Sequence, residues 1–182
     1  MTVPVPQRAL TRDDLAAHIA EHVFGAVGDD DVTGGERNAF GIELEFLTGG
    51  PGFARLGPEV VDEAAEELTG LVRNGRFTVE PGGQFELSTR PAATLATACE
   101  AAATDLFRLV TACRERDIEL VALGADPVRP PERVITAPRY RAMQAFFDAT
   151  GAAGRTMMCN TASVQVNLGL GRGDTTMRRW RT

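Results

Sequence analysis

Residues 41–46, Gly-Ile-Glu-Leu-Glu-Phe, alternate apolar and acidic side chains with a period of two. A helix cannot bury such a pattern, but a strand can, because successive side chains point to opposite faces. Ile42, Leu44 and Phe46 then face a core, while Glu43 and Glu45 stand together on the other side, about 6–7 Å apart by strand rise. Residues 80–88, Glu-Pro-Gly-Gly-Gln-Phe-Glu-Leu-Ser, repeat the arrangement. Phe85 and Leu87 turn inward, Gln84, Glu86 and Ser88 turn outward, and Glu80 precedes the turn. A third segment, residues 161–168, places Thr161, Ser163, Gln165 and Asn167 on one face. If the three share a sheet, four carboxylates and a row of amides and hydroxyls converge on one surface.

A wet face on an antiparallel sheet is the ordinary fate of a single glutamate pair. It usually interleaves Thr, Arg or Lys, yet no cation separates Glu43 from Glu45. Two like charges at that spacing repel by roughly 2–3 kcal/mol at an effective dielectric of 20. Four such groups multiply the penalty. Mg²⁺ or Mn²⁺, which prefer carboxylate oxygens, would relieve it, so the surface reads as a site for hard cations and phosphates.

The chain has 182 residues, enough for one sizeable core and at most two small domains. No apolar run approaches the roughly 18 residues of a membrane span, and residues 1–10 lack the pattern of a secretory signal. A cytoplasmic protein is expected. The net charge of −6 argues against nucleic acid as a partner. All 19 basic residues are arginine, which excludes a Walker-A lysine, a Schiff base and a kinase-type phosphate lysine within this chain. Phosphate handling falls to arginine, backbone amides or metal. Cys99 and Cys113 share a helical stripe with Leu95, Ala102, Leu106 and Leu109 and read as core thiols. Cys159 adjoins the third strand and reads as buried. Three cysteines without CxxC spacing fit a reducing compartment.

Along the chain, Thr11 caps a helix over residues 12–27, and an acidic loop fills residues 29–35. Pro58 opens a second helix that stops at Asn74-Gly75. Residues 77–80 and 84–88 flank the Pro81-Gly82-Gly83 turn. A long helix covers residues 93–116, and a strand covers 118–123. Residues 126–138 hold four of the ten prolines and read as a loop. A helix over 139–150 precedes the third polar strand, expected over 156–170. Strands with one open face point to α+β, an antiparallel sheet with helices on its apolar side. Residues 175–180 look like a helix just beginning, which suggests a piece of a longer polypeptide.

Other features read as ordinary. His18 and His22 have the spacing of a helical zinc pair but no completing ligand nearby. Asp29-Asp30-Asp31 lacks the ligand spacing of a calcium loop. Arg172, Arg178, Arg179 and Arg181 suit an exposed helix surface.

The run Glu80–Ser88, preceded by residues 41–46 and followed by Met157-Met-Cys-Asn-Thr-Ala-Ser-Val-Gln-Val-Asn167, resembles the glutamate–cysteine ligases. The likeness is to the plant-type and actinobacterial branch, nearest its ergothioneine-pathway members. It covers essentially the whole chain but only the N-terminal portion of the family's catalytic domain, so residues 1–182 are expected to be incomplete and inactive alone. The resemblance implies a glutamine-synthetase-like fold and an ATP-dependent ligation of L-glutamate to L-cysteine, giving γ-glutamylcysteine. It implies Glu43 and Glu45 as one metal-binding pair, Glu80 and Glu86 as a second, and Gln165 where some relatives have a metal-binding histidine. Glu43, Glu45 and Glu86 would carry catalysis through Mg²⁺ or Mn²⁺. Thr161, Ser163 and Asn167 would face the substrates. Plant-type relatives have an arginine where this chain has Asn160, which moves recognition of the glutamate α-carboxylate elsewhere, to Arg90 or downstream. A γ-glutamyl ligase for another amine, or a non-catalytic metal- or nucleotide-binding module, are the alternatives. Amine specificity and oligomeric state are not legible.

Overall fold

The structure, a computed structural model, describes residues 9–22, 39–171 and 174–181. The chain divides into two units, Met1–Asn38 with Gly169–Thr182, and Ala39–Leu168. In the first unit, helix α1 (Arg12–His22) starts at a reciprocal cap. The Asp14 amide donates to the Thr11 hydroxyl oxygen at 3.1 Å, and the Thr11 amide donates to the Asp14 carboxylate at 2.8 Å. The expected extension of this helix to residue 27, and the acidic loop after it, lie outside the described residues.

The second unit contains strands β1 (Phe40–Gly49), β2 (Gly75–Val79), β3 (Phe85–Thr89), β4 (Glu119–Val121) and β5 (Val164–Leu168). Helices α2 (Pro58–Thr69), α3 (Leu95–Arg114), α4 (Pro138–Asp148) and α5 (Ala153–Asn160) complete it. All strand pairings are antiparallel, in the order β2-β3-β1-β4, with β5 also paired to β1. This is the α+β sheet that the alternation predicts. Glu43 and Leu44 pair with both β3 and β5, so those strands flank β1 on opposite sides. Helix α6 (Asp174–Trp180) belongs to the first unit. Among the described residues, no helix is long and apolar enough to cross a membrane.

Helices α2 and α3 cover the apolar face. Val61, Ala64 and Leu68 recur at helical spacing on α2 and are buried. They pack with Phe77, Phe85, Leu109 and Ile118, and the rings of Phe77 and Phe85 meet edge to face at 5.1 Å. The small Ala98 and Ala102 let α3 approach Ile42 of β1.

Three expectations are corrected. The second helix ends at Thr69, with Gly70 as its cap, and Asn74-Gly75 instead lead into β2. Cys99 is exposed, whereas Cys113 is buried. The two lie two heptads apart, and a straight helix drifts about 20° per heptad, so the buried stripe runs through Ala98, Ala102, Asp105, Leu109 and Ala112 instead. Residues 153–160 form a helix, and only Val164–Leu168 is strand, because the alternation of polar and apolar residues begins after Thr161. Helix α5 turns back on α4 where a Cβ on Gly154 would stand 2.4 Å from the Phe147 ring, so only glycine allows the contact.

Asp105, on α3 and fully buried, holds the turn into β2. It accepts the backbone amides of Arg73 at 3.2 Å and Asn74 at 2.6 Å, the Asn74 side-chain amide at 3.2 Å, and the Arg108 guanidinium at 2.6 Å. Asp105→Ala leaves these donors without a partner. It is expected to lower unfolding stability by about 3 kcal/mol, measured by urea denaturation, with a native-like circular dichroism spectrum.

Candidate functional site

Strand phase assembles the polar face. Glu45 lies directly opposite Glu86, and Glu43 lies opposite Ser88 on one side and Gln165 on the other. Directly opposed residues of an antiparallel pair project to the same face, so Glu43, Glu45, Glu86 and Gln165 share one surface of one sheet. Thr78 and Arg76 of β2 join them through their pairing with Glu86 and Ser88.

The carboxylates are held apart by their partners. Glu45 accepts the Ser163 amide at 2.9 Å and the Gln165 side-chain amide at 3.1 Å, both on the β5 side. Glu86, nearly buried, accepts the hydroxyls of Thr78 at 3.0 Å and Ser88 at 2.7 Å, both on the β3–β2 side. Glu43 accepts the Asn167 side-chain amide at 3.0 Å. Like charges placed face to face thus splay towards donors on opposite sides. Among the described residues, no three His, Cys, Asp or Glu side chains are gathered closely enough to hold an ion as they stand. The donor chemistry still suits one. The set offers only carboxylate oxygens and, because the Gln165 nitrogen is engaged by Glu45, one outward amide oxygen.

Glu80 joins the group from the turn between β2 and β3. Burial raises its pKa above the ordinary carboxylate value, and the charges of Glu86 and Glu45 raise it further, while Arg139 at the start of α4 works the other way. The turn itself is fastened on three sides. The Thr48 hydroxyl donates to the Gly83 carbonyl at 2.7 Å, and Val134 and Ile135 donate their amides to the Pro81 carbonyl at 2.7 and 3.0 Å. A Cβ on Gly82 would stand 2.1 Å from the Cys159 carbonyl oxygen, which leaves room for glycine alone.

Gln84 is the joint between this turn and β5. It is buried, its side-chain oxygen accepts the Gly82 amide at 2.9 Å, and its nitrogen donates to the Thr161 carbonyl at 2.9 Å. A cleft of about 480 Å³ opens beside it. Glu45, Glu80, Thr161, Ser163 and Gln165 form the polar wall, and Tyr140, Met143, Phe147 and Met157 of the α4–α5 hairpin form the apolar one.

The expected residues therefore separate into two places. Glu45, Glu80, Thr161, Ser163 and Gln165 line the cleft, and Glu86 stands beside Glu45 and Glu80. The Thr161 hydroxyl is already given to the Met157 carbonyl at 2.6 Å. Glu43 and Asn167 lie further along the sheet. Arg90 is exposed, just past β3 and about 17 Å by strand rise from the Phe85 end, so it is not brought to the cleft. Asn160 is buried and gives its side-chain amide to the Arg129 carbonyl at 2.6 Å, which makes it a joint rather than a surface contact. Cys159 is buried, as its sequence position suggests. His18 and His22 fall on α1.

Three contributors escaped the sequence reading. Arg76 and Thr78 were legible, because Arg76-Phe77-Thr78-Val79 alternates as β1 does. Arg139 left no signal, since only the fold of residues 126–138 brings it towards Glu80.

The glutamate-cysteine ligase family 2 (GCS2) matches residues 39–182. The chain belongs to that family. Glutamate–cysteine ligase EgtA of Mycobacterium tuberculosis (strain ATCC 25618 / H37Rv) is 39% identical over 163 residues, covering 87% of this chain and 38% of the relative. EgtA of Mycolicibacterium smegmatis is 37% identical over 174 residues, covering 93% and 39%. The chloroplastic glutamate–cysteine ligase of Arabidopsis thaliana is 30% identical over 185 residues, covering 90% and 33%. The chain thus spans well under half the length of these relatives. The family relates to the glutamine-synthetase-like fold, in agreement with the antiparallel sheet and its helix-covered apolar face.

The raised pKa of Glu80 has a consequence for stability. In EDTA the folded protein holds the Glu80 proton more tightly than the unfolded chain does. Stability is then fully present below the ordinary value of 4.5 and declines as pH rises through the raised folded pKa. Glu80→Gln removes this decline and is expected to raise the melting temperature at pH 7. A calorimetric pH series from 4 to 8 on both proteins measures it, and parallel curves would contradict the assignment.

Proposed function

We propose that this chain supplies the acidic face of an ATP-dependent glutamate–cysteine ligase. In the reaction, a γ-carboxylate oxygen of L-glutamate attacks the γ-phosphorus of ATP and ADP leaves, giving γ-glutamyl phosphate. The L-cysteine amine then attacks the acyl carbon, phosphate leaves, and the amine loses a proton, giving γ-glutamylcysteine. Ergothioneine biosynthesis is the pathway proposed for the product, on the strength of the EgtA likeness.

The single observation that carries this reading is the opposed Glu45–Glu86 pair with Glu80 beside it, in a chain of the glutamate-cysteine ligase family. Glu43, Glu45, Glu80 and Glu86, with the Gln165 amide oxygen, would hold Mg²⁺ or Mn²⁺. Bound there, the cation supplies neutralisation of phosphate charge. The chain's own residues do the positioning. Gln165 and Asn167 orient the β1 carboxylates, Gln84 sets the spacing between Glu80 and the β5 entry, and Met143, Phe147 and Met157 exclude water from one side of the cleft. Ser163 and Thr161 stand where a substrate in that cleft would meet them. With no lysine to grip phosphate, alignment and charge neutralisation are the work left to the protein.

A thermal-shift titration tests the proposal. Mg²⁺ or Mn²⁺ is expected to raise the melting temperature by mass action, and ATP to add to the shift only when metal is present. Glu45→Gln should remove the metal shift without lowering stability in EDTA, because it removes one repelling charge. At the aligned position of full-length EgtA from M. smegmatis, the same change should lower kcat/KM for γ-glutamylcysteine formation about a hundredfold. An ATP shift without metal, or a metal shift that survives Glu45→Gln, would count against the site.

A further inference from the structure

Three segments build the polar wall of the cleft: β1 with Glu45, the β2–β3 turn with Glu80, and the end of α5 running into β5 with Thr161, Ser163 and Gln165. All three are tied to one buried ion pair that stands outside the cleft. The Asp126 side chain is 1% exposed and that of Arg129 14%, and the described residues that line the cleft include neither. The Arg129 guanidinium donates to the Asp126 carboxylate through Nε and to the Thr48 carbonyl at 2.8 Å through a terminal nitrogen. Its carbon lies 3.8 Å from the centre of the Phe53 ring. Thr48 stands three residues past Glu45 on β1, and its hydroxyl donates to the Gly83 carbonyl of the Glu80 turn at 2.7 Å. The Arg129 carbonyl accepts the Asn160 side-chain amide at 2.6 Å, and the Asp126 amide donates to the Asn160 carbonyl at 2.8 Å, one residue before Thr161.

A buried ion pair adds little net stability over an apolar pair of the same size. What this one supplies is geometry. The rigid guanidinium fork reaches Asp126 and β1 together, which an ammonium on a flexible stem cannot reproduce. Asp126 also accepts the amides of Val128 and Arg129, both at 2.9 Å, so the loop that presents the fork is fixed by the fork's own partner. A shift at Arg129 would pass to Glu80 through Thr48 and Gly83, and to Thr161 through Asn160. We propose that Arg129, held by Asp126, is a positioning residue for the candidate cation site. It sets the Glu80 turn and the Thr161–Gln165 segment relative to Glu45, acting through Thr48 and Asn160. This role rests on the proposed reading of the acidic face as a cation site, and separate readouts distinguish the failure of one from the failure of the other.

The test uses the 182-residue chain and two readouts, Mn²⁺ affinity by calorimetry and amide hydrogen exchange without metal. Arg129→Lys keeps the charge but loses the fork, and is expected to weaken Mn²⁺ binding about tenfold. The Glu80 and Gly83 amides, which bond within their turn and not to Arg129, should exchange faster in the variant. Thr48→Val removes the hydroxyl that passes the position on. It should give the same two changes, and the double variant should be no worse than the stronger single one. Asp105→Ala is the control, because it loosens the opposite end of β2 and β3 from the Glu80 turn. It should leave both readouts of the folded protein as they are. Wild-type Mn²⁺ affinity in Arg129→Lys, or an equal loss in Asp105→Ala, would overturn the proposal. If Arg129→Lys does not fold, Thr48→Val decides by the same two outcomes. If the unaltered chain binds no Mn²⁺, the cation reading fails, and exchange at Glu80 and Gly83 alone decides whether Arg129 positions the turn.

Discussion

Two carboxylates placed directly across from each other on adjacent antiparallel strands repel, and the unit from Ala39 to Leu168 is organised to keep Glu45 and Glu86 there nonetheless. The force that does so acts on the other side of the sheet. Phe77, Phe85 and Leu87 are buried at the same strands, under α2 and α3. A one-residue slip of register would turn those side chains into water and the glutamates into the core. At about 25 cal/mol per Å² of apolar surface, the burial of several large side chains outweighs a charge repulsion of a few kcal/mol.

The remaining polar contacts distribute that repulsion. β5 draws Glu45 and Glu43 one way through Ser163, Gln165 and Asn167, and Thr78 with Ser88 draws Glu86 the other. Glu80 has weaker recourse, since burial and two neighbouring charges raise its pKa while Arg139 opposes them. In the proposed ligase, a cation held at this face would relieve all the repulsions together, which no neutral ligand could do. This is the physical link between the fold and the proposed ligase chemistry.

Buried polar joints set the positions that the strands leave free. Gln84 ties the Glu80 turn to the start of β5, and Asp105 ties α3 to the start of β2. Near the far end of β1, Arg129 pairs with Asp126, donates to the Thr48 carbonyl at 2.8 Å and lies over the Phe53 ring at 3.8 Å. Burial disfavours the Asp126 anion, but the amides of Arg129 and Val128 and the Arg129 guanidinium together hold its pKa below the usual carboxylate range. The proline-bearing loop is therefore ordered by charge and hydrogen bonds, and it carries Arg139 towards Glu80.

The period-two alternation of residues 41–46 and 84–88 determined on its own that these segments are strands with one acidic and one apolar face. Side-chain direction in a strand depends only on local backbone geometry. For the same reason Thr11 and Pro58 announced their helices, since capping is local. The sequence could not decide which strands become neighbours, and only the tertiary structure placed Glu86 opposite Glu45 and Gln165 beside it. It likewise decided that residues 153–160 coil into a helix, that Cys99 faces water, and that Arg90 lies far from the cleft. Each of these turns on packing between segments distant in the chain, where a few kcal/mol of burial overrides a local preference.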